Sequence, residues 1–385
     1  MKISNRFLSM CLILVMTLSL LMGCSTSGEQ ASAANPKTET DSSSETENTQ
    51  KTDSSTTDSM ENTAAGAETA DGDTAAGKAA GAAEVYGFHV EGNKLLDANG
   101  NEFIMRGVNH AHAWFAGNDV KALEGIAATG ANSVRIVLSD GVEYSKDSAA
   151  MVAALVTKCK NLNMIAILEV HDGTGSNDPA MIEAATAFWI EVKEALIGNE
   201  AYAILNIVNE WQGNYNRKDY EETYCKAVKE LRDAGICNTI LIDSSGWGQQ
   251  PKSVVECGQN ILDADPLGNT MFAIHMYGTA GKNADTIKKN IDSVRDLDLC
   301  VCIGEFGWNH SDGDVDEDYI MQYCNEIGVG YLAWSWKGNG GGVEYLDMTN
   351  DWSGEELTPG WGEKVVNGEF GIRNTSVPCS VFAGQ

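Results

Sequence analysis

The sequence lacks the short motifs that mark several large enzyme classes. No Cys-x-x-Cys pair occurs, so a zinc or thiol-redox motif is unsupported, and no Gly-x-Gly-x-x-Gly run follows a predicted strand as in a dinucleotide site. Basic residues are scarce, because 26 Lys and Arg stand against 55 Asp and Glu, which gives a formal net charge of −29. This balance argues against nucleic acid and anionic membrane surfaces as partners, and it fits an extracellular enzyme with an uncharged substrate.

Large apolar residues are nearly absent from residues 25–83, which contain no aromatic residue and one methionine. Because this composition buries too little surface to offset chain entropy, residues 24–83 are predicted to form a disordered acidic tether. Residues 1–23 have the basic start and apolar run of a secretory signal. The run 21–24 (LMGC) is typical of a bacterial lipoprotein, and it predicts lipidation of Cys24 and anchoring at the cell surface. The alternatives are an ordinary cleaved signal and a retained membrane anchor.

Eight cysteines follow Cys24, and the sequence leaves open whether any of them form disulfide bonds. They are Cys159, Cys225, Cys237, Cys257, Cys300, Cys302, Cys324 and Cys379. Cys300 and Cys302 fall on one face of a predicted strand, where small buried thiols are the commoner arrangement.

Residues 84–385 are predicted to form one catalytic domain in which strands and helices alternate. The predicted strands are 103–105, 133–138, 164–170, 203–208, 239–243, 271–275, 300–304 and 329–334, and the predicted helices are 119–129, 148–162, 180–196, 220–234, 284–297 and 315–327. This alternation favours a closed (β/α)8 TIM barrel over an open doubly wound sheet. A short hairpin over residues 86–97 is expected before the barrel.

Polar side chains recur where the predicted strands end. Two apolar strands close on a glutamate, Glu210 and Glu305, and the other polar or aromatic residues in such positions are Arg135, His171, Asn209, His275, Tyr277 and Trp334. The carboxyl ends of barrel strands open on one face, so these side chains are predicted to share a site. Two carboxylates there suit glycosidic bond cleavage, one as proton donor and the other as nucleophile or base.

Eight runs of the sequence resemble glycoside hydrolase family 5, and within it the bacterial β-mannanases. They are 105–114 (MRGVNHAHAW), 130–138 (GANSVRIVL), 168–172 (LEVHD), 206–211 (NIVNEW), 246–249 (GWGQ), 274–277 (IHMY), 303–307 (IGEFG) and 332–336 (LAWSW). The resemblance runs from about residue 87 to residue 376, which is nearly the whole predicted domain. It implies a retaining, endo-acting hydrolase of β-1,4-linked mannan.

Carried over by position, the resemblance implies that Glu210 is the acid/base and Glu305 the nucleophile. Asn209 would form a hydrogen bond with the sugar 2-hydroxyl. Arg135 and Tyr277 would hold the nucleophile ionised and aimed, because an adjacent cation and a hydroxyl donor favour its charged form.

The resemblance also implies roles for residues around the sugar at the cleavage site. His275 would lie beside the acid/base, His171 would contact that sugar, and Trp334 would stack on its ring. The further candidates for substrate contacts, with a structural role as the alternative, are His110, His112, Trp114 and Trp247. Glu169 is interpreted as a structural ion-pair or hydrogen-bond partner.

A retaining mechanism requires different roles of the two glutamates. Retaining hydrolysis places the carboxyl groups about 5–5.5 Å apart, which leaves no room for a water between them. We expect apolar and like-charged surroundings to raise the pKa of the acid Glu210, while Glu305 stays ionised.

An acidic run, 312–318, follows the seventh strand. Asp314 with Glu317 fits a helix capping box, and the sharper alternative is a structural calcium ion held by Asp314, Asp316 and Glu317. The spacing is not that of an EF-hand. No cofactor is expected to be required.

Three functions remain open from the sequence. The first is an endo-β-1,4-mannanase that acts on mannan and manno-oligosaccharides; the second is a β-1,4-glucanase, since the sugars differ at one hydroxyl. The third is a surface glycan-binding lipoprotein that has lost catalysis. We expect a monomer without a separate carbohydrate-binding module, in contact with a membrane only through the lipid anchor.

Overall fold

The computed structural model describes residues 87–383, which contain a closed barrel of eight parallel strands, so the predicted (β/α)8 fold is confirmed. In chain order the strands are β1 (His89–Glu91), β2 (Lys94–Leu96), β3 (Arg106–His110), β4 (Ser133–Leu138), β5 (Ile165–Val170), β6 (Ala203–Asn206), β7 (Ile240–Asp243), β8 (Thr270–Met276), β9 (Val301–Phe306), β10 (Asn309–His310), β11 (Gly313–Asp314) and β12 (Gly330–Ala333). The barrel order is β12-β3-β4-β5-β6-β7-β8-β9, and β1 pairs with β2 as the expected hairpin. The predicted signal, Cys24 and the tether lie outside the described residues.

Helices follow the barrel strands. They are α1 (His112–Phe115), α2 (Asp119–Ala128), α3 (Ala149–Asn161), α4 (Ala180–Glu191), α5 (Arg217–Asp233), α6 (Lys252–Ala264), α7 (Ala284–Arg295), α8 (Glu317–Ile327), α9 (Trp361–Asn367) and α10 (Ile372–Thr375). Helix α6 was not predicted, although its buried residues Val254, Cys257 and Ile261 have helical spacing. No helix within residues 87–383 combines the length and apolarity needed to span a membrane.

Two local predictions are wrong. The first barrel strand is Arg106–His110 rather than 103–105. Gly107 lets this strand pass close to Ser133, because a Cβ on Gly107 would lie 2.1 Å from the Ser133 carbonyl oxygen. The capping box on α8 is also wrong. The helix begins at Glu317, and the N-cap is Asp316, whose carboxylate accepts from the Tyr319 backbone N–H at 3.2 Å.

Alternation along the strands separates two apolar layers. In β5, Ala166 and Leu168 pack outward against the helices, whereas Ile165 and Ile167 point into the barrel. The inner cluster continues to the β1–β2 hairpin through Leu95. The eight described cysteines are all free, and Cys300 and Cys302 are buried as expected.

A bulge in β9 directs Glu305 into the barrel. Val301 and Ile303 pack outward, so strict alternation would send residue 305 outward as well. The pairing with β8 passes from Ile274–Ile303 to His275–Glu305, which leaves Gly304 as an extra residue. A Cβ at Gly304 would lie 2.8 Å from His275 Nε2, so this position has no room for a side chain.

Candidate active site

The carboxylate of Glu305 is buried and held at both oxygens. Its Oε1 accepts from Arg135 Nη1 at 2.7 Å, and its Oε2 accepts from the Tyr277 hydroxyl at 2.8 Å. Burial raises the pKa of Glu305 above its ordinary value, and the charges of His275 and Arg135 offset only part of this rise. The two donors fix the direction in which the carboxylate faces the cleft.

Arg135 is the fully buried cation at the centre of the polar layer inside the barrel. Its guanidinium donates to the side-chain oxygens of Asn109 at 3.0 Å, Asn206 at 3.1 and 2.9 Å, and Asn209 at 2.7 Å. Burial alone would lower the pKa of Arg135, but surrounding carboxylates outweigh it and raise the pKa. One of them is Glu169, whose Oε1 lies 3.7 Å from Arg135 Nη1 and 3.0 Å from His171 Nδ1, in agreement with its predicted structural role.

Glu210 lies just beyond β6 in a left-handed backbone conformation, with φ of 46°. Its side chain is anchored by His275, whose Nδ1 lies 2.7 Å from Glu210 Oε1. The preceding residue, Asn209, uses its amide nitrogen to donate to the Thr174 hydroxyl at 2.9 Å. The turn therefore presents Asn209 and Glu210 together at the carboxyl end of the barrel.

His275 changes the expected electrostatics of the acid. Burial lowers the pKa of His275, but the carboxylates around it outweigh this and raise the pKa to about 9. Burial likewise raises the pKa of Glu210, but the hydrogen bond and charge of His275 bring it below its ordinary value. The expectation that Glu210 itself has a raised pKa is wrong, because the hydrogen bond and the charge of His275 favour the carboxylate form.

Glu210 and Glu305 lie close enough for a shared reaction. One carboxylate oxygen of Glu210, one carboxylate oxygen of Glu305 and one ring nitrogen of His275 all lie within 4.8 Å of one another. Such a group also has the donor types of a metal site. Both carboxylates already have positively charged or basic partners, since Arg135 donates to Glu305 and His275 Nδ1 lies 2.7 Å from Glu210.

The calcium prediction receives no support. Among residues 87–383, the grouping of metal-ligating side chains within 4.8 Å does not include Asp314, Asp316 or Glu317. Asp316 caps α8, and Glu317 is paired with Lys364. Asp314 lies in the β10–β11 hairpin.

The two glutamates lie at the floor of a cleft of about 760 Å³. One wall is aromatic: His171 stacks on Trp334 at 5.9 Å between ring centroids, and Trp114 meets His171 edge-on at 5.0 Å. Trp334 is held by a hydrogen bond from its Nε1 to Asn339 Oδ1 at 2.9 Å. These flat faces are suited to the apolar faces of sugar rings.

Trp247 also borders the cleft and is 51% exposed. Its φ is 58°, and its indole lies against Gly175 and Gly213. A Cβ on Gly175 would lie 2.1 Å from the indole, so glycine there lets the ring lie against the chain.

The structure does not bring His110 and His112 to the cleft surface. Both are buried, and neither lines the cleft. His110 Nε2 lies 2.8 Å from Asp119, while His112 bridges Asp119 and Asp147 at 2.9 Å on each side. Their predicted substrate contacts are therefore wrong, and the alternative structural role fits.

Several polar residues of the cleft received no role from the sequence, four of which make contacts or lie in loops that shape it. These four are Gln249, His310, Asp312 and Asn339. Asp312 accepts from Gln249 Nε2 at 3.1 Å and from the backbone of Gly278 and Thr279. The short β10–β11 hairpin that carries His310 and Asp312 has too few residues for a periodic pattern, so only its acidic composition was visible.

Comparison with known proteins gives a consistent set of relatives. Residues 96–340 match the model described as cellulase (glycosyl hydrolase family 5). A mannan endo-1,4-beta-mannosidase of Salipaludibacillus agaradhaerens is 48% identical over 77% of this chain and 96% of its own length. A mannan endo-1,4-beta-mannosidase of Streptomyces lividans is 40% identical over 80% of this chain and 82% of its own length. The crystal structure of a beta-mannanase from Streptomyces thermolilacinus with mannohexaose has a TM-score of 0.74 and 40% identity, and covers 78% of this chain and 100% of that one.

Proposed function

The chain belongs to glycosyl hydrolase family 5, and we propose that it hydrolyses internal β-1,4-mannosidic bonds of mannan, glucomannan or galactomannan with retention of configuration. The observation that carries the mechanism is the pair of carboxylates, with one oxygen of Glu210 within 4.8 Å of one of Glu305. This spacing fits direct attack by a carboxylate better than attack by an intervening water.

In the first step Glu305 attacks the anomeric carbon and Glu210 protonates the departing glycosidic oxygen. The C–O bond to the leaving sugar breaks as an ester to Glu305 forms. In the second step Glu210, now ionised, takes a proton from water, whose oxygen attacks the same carbon and releases Glu305. Arg135 and Tyr277 support this division, because both donate to Glu305 and stabilise its returning negative charge.

Mannan as the substrate class rests on the relatives, which are named mannanases at 40–48% identity over most of the chain. The aromatic wall of Trp114, His171 and Trp334 supports binding of a sugar chain along the cleft. We place Trp247 on the other side of the same chain, and Asn209 against the 2-hydroxyl, where mannose and glucose differ.

Loss of catalysis is disfavoured by the intact surroundings of both glutamates. A barrel that only bound glycan would have no need for Arg135 and Tyr277 on one carboxylate and His275 on the other. Each of these buried polar groups costs folding free energy unless it is paired.

The test is reducing-sugar release by residues 84–385 from linear mannan, carboxymethyl cellulose and xylan, with Glu210→Ala and Glu305→Ala as controls. We expect mannan cleavage that falls by orders of magnitude in both variants. Cleavage of cellulose in place of mannan would move the substrate to β-1,4-glucan. Inactivity on all three polymers would favour the binding lipoprotein.

We also propose that the enzyme is a monomer anchored at the cell surface through a lipid on Cys24. The support for the anchor is the lipoprotein-like run 21–24, which is followed by a long acidic segment poor in large apolar residues. Active protein found free in culture medium and absent from membranes would contradict this.

A further inference from the structure

Asp243 is a buried carboxylate to which the mechanism above gives no role. It ends β7, its side chain is fully inaccessible, and it does not line the cleft. Its Oδ1 accepts from Asn206 Nδ2 at 3.1 Å. Its Oδ2 accepts from the backbone N–H of Glu210 at 3.1 Å and from Arg135 Nη2 at 3.3 Å.

The same oxygen faces the imidazole of His275. Asp243 Oδ2 lies 3.4 Å from His275 Nε2, the ring nitrogen that has no hydrogen-bond partner among the described residues. The other ring nitrogen, Nδ1, lies 2.7 Å from Glu210 and 3.7 Å from Glu305. The imidazole therefore stands between carboxylates on both of its nitrogen sides.

The ring has little freedom to leave this position. A Cβ on Gly248 would lie 2.5 Å from His275 Cγ, and one on Gly304 would lie 2.8 Å from Nε2. The charged groups that face the ring are Glu210, Glu305 and Asp243, and the cation Arg135 contacts both Asp243 and Glu305. Asp243 is thus the charged group on the side of the ring away from the glutamates.

We propose that Asp243 is a positioning residue for the acid/base: it keeps His275 charged as the proton store for Glu210 and fixes the strained backbone of Glu210. The inference rests on the proposed function, in which Glu210 must deliver a proton. The left-handed conformation at Glu210 is unfavourable for a residue with a long side chain, and the hydrogen bond from its N–H to Asp243 offsets part of that cost.

One proton serves the pair formed by His275 and Glu210. It moves from His275 Nδ1 to Glu210 Oε1, and Glu210 then gives it to the glycosidic oxygen as the C–O bond breaks. The proton that Glu210 later takes from water restores the pair. The negative charge of Asp243 delays loss of this shared proton to higher pH, because an opposite charge stabilises the imidazolium.

The test is Asp243→Asn, which keeps an acceptor for the Glu210 N–H and removes the charge. The alkaline limb of the pH dependence of kcat on mannan is expected to move down by about one pH unit or more. Asp265→Asn is the matched control, since it removes another buried carboxylate, paired with Arg232 at 2.9 Å and away from the cleft. It is expected to lower stability and leave the alkaline limb in place. An unmoved limb in folded Asp243→Asn protein would overturn the proposal.

A second measurement does not depend on activity or on the variant. The ¹⁵N signals of His275 in the parent protein are expected to report an imidazolium at pH 7, with titration near the alkaline limb. A neutral imidazole at pH 7 would overturn the proposal even if Asp243→Asn failed to fold. Failure of the parent to cleave mannan, with the imidazolium observed, would contradict the proposed function and leave the assignment of the proton store in place.

Discussion

Tyr277→Phe tests whether the Tyr277 hydroxyl favours the ionised form of Glu305, the proposed nucleophile. The substitution removes one oxygen and keeps the ring, which packs beside His310 at 4.6 Å between centroids. The lost contact is the 2.8 Å hydrogen bond from the hydroxyl to Glu305 Oε2. Hydrogen bonds to charged groups contribute about 1.5–3 kcal/mol, and one pKa unit corresponds to about 1.4 kcal/mol.

The sign follows from which form of Glu305 the hydroxyl stabilises. The hydroxyl donates to the carboxylate, so its removal favours the protonated form and makes the nucleophile harder to ionise. The acid limb of the pH dependence of kcat/KM is therefore expected to move upward by about one to two pH units. Below the limb, activity falls about tenfold for each unit of that shift.

The assay is kcat/KM on a soluble manno-oligosaccharide across the pH range, with thermal unfolding to verify the fold. Tyr331→Phe is the matched control, because it also removes a buried hydroxyl donor, here to the Phe370 carbonyl at 2.7 Å, and does not line the cleft. We expect its acid limb to stay at the parent position. An unmoved limb in folded Tyr277→Phe, or equal movement in both variants, would refute the reasoning.

Three further outcomes follow from other parts of the molecule. Burial lowers the pKa of His112, but Asp119 and Asp147 outweigh it and raise the pKa from 6.5 to about 9. The charged imidazole therefore stabilises the fold fully below pH 6.5, and this contribution is lost as pH rises through about 9. Denaturant unfolding of His112→Asn should show a large loss of unfolding free energy at pH 6 and a small loss above pH 9. Trp334→Ala removes the proposed stacking face and should lower kcat/KM on short manno-oligosaccharides by about 10–100-fold with an unchanged melting temperature, equivalent to about 1.4–2.7 kcal/mol. Residues 84–385, unfolded in guanidinium without reductant, should titrate eight thiols with a disulfide-exchange reagent, and fewer would contradict the free cysteines.

The barrel was predictable because most of its strands are short apolar runs with a helical pattern after them. The positions of Glu210 and Glu305 at strand ends were visible for the same reason. The inward direction of Glu305 was not, because the bulge at Gly304 breaks the alternation that sequence reading assumes. Without that bulge, the period of two places residue 305 among the outward-facing core residues.

His110 and His112 illustrate a different limit. They follow the first strand, in the region where cleft residues are expected, yet their partners Asp119 and Asp147 come from later segments and hold them below the surface. A single sequence does not reveal such pairing. Asp243 was missed for the same reason, since its role depends on the contact with His275 of the neighbouring strand β8.

The roles of the two glutamates are tested most directly by azide rescue with an activated aryl β-mannoside substrate. Glu305→Ala should regain turnover by forming an α-glycosyl azide, because azide attacks in place of the missing nucleophile and inverts the carbon. Glu210→Ala should give a β-glycosyl azide, because azide replaces water in the second step. The opposite pairing of anomers would exchange the two roles, and absence of rescue in both variants would contradict the double displacement.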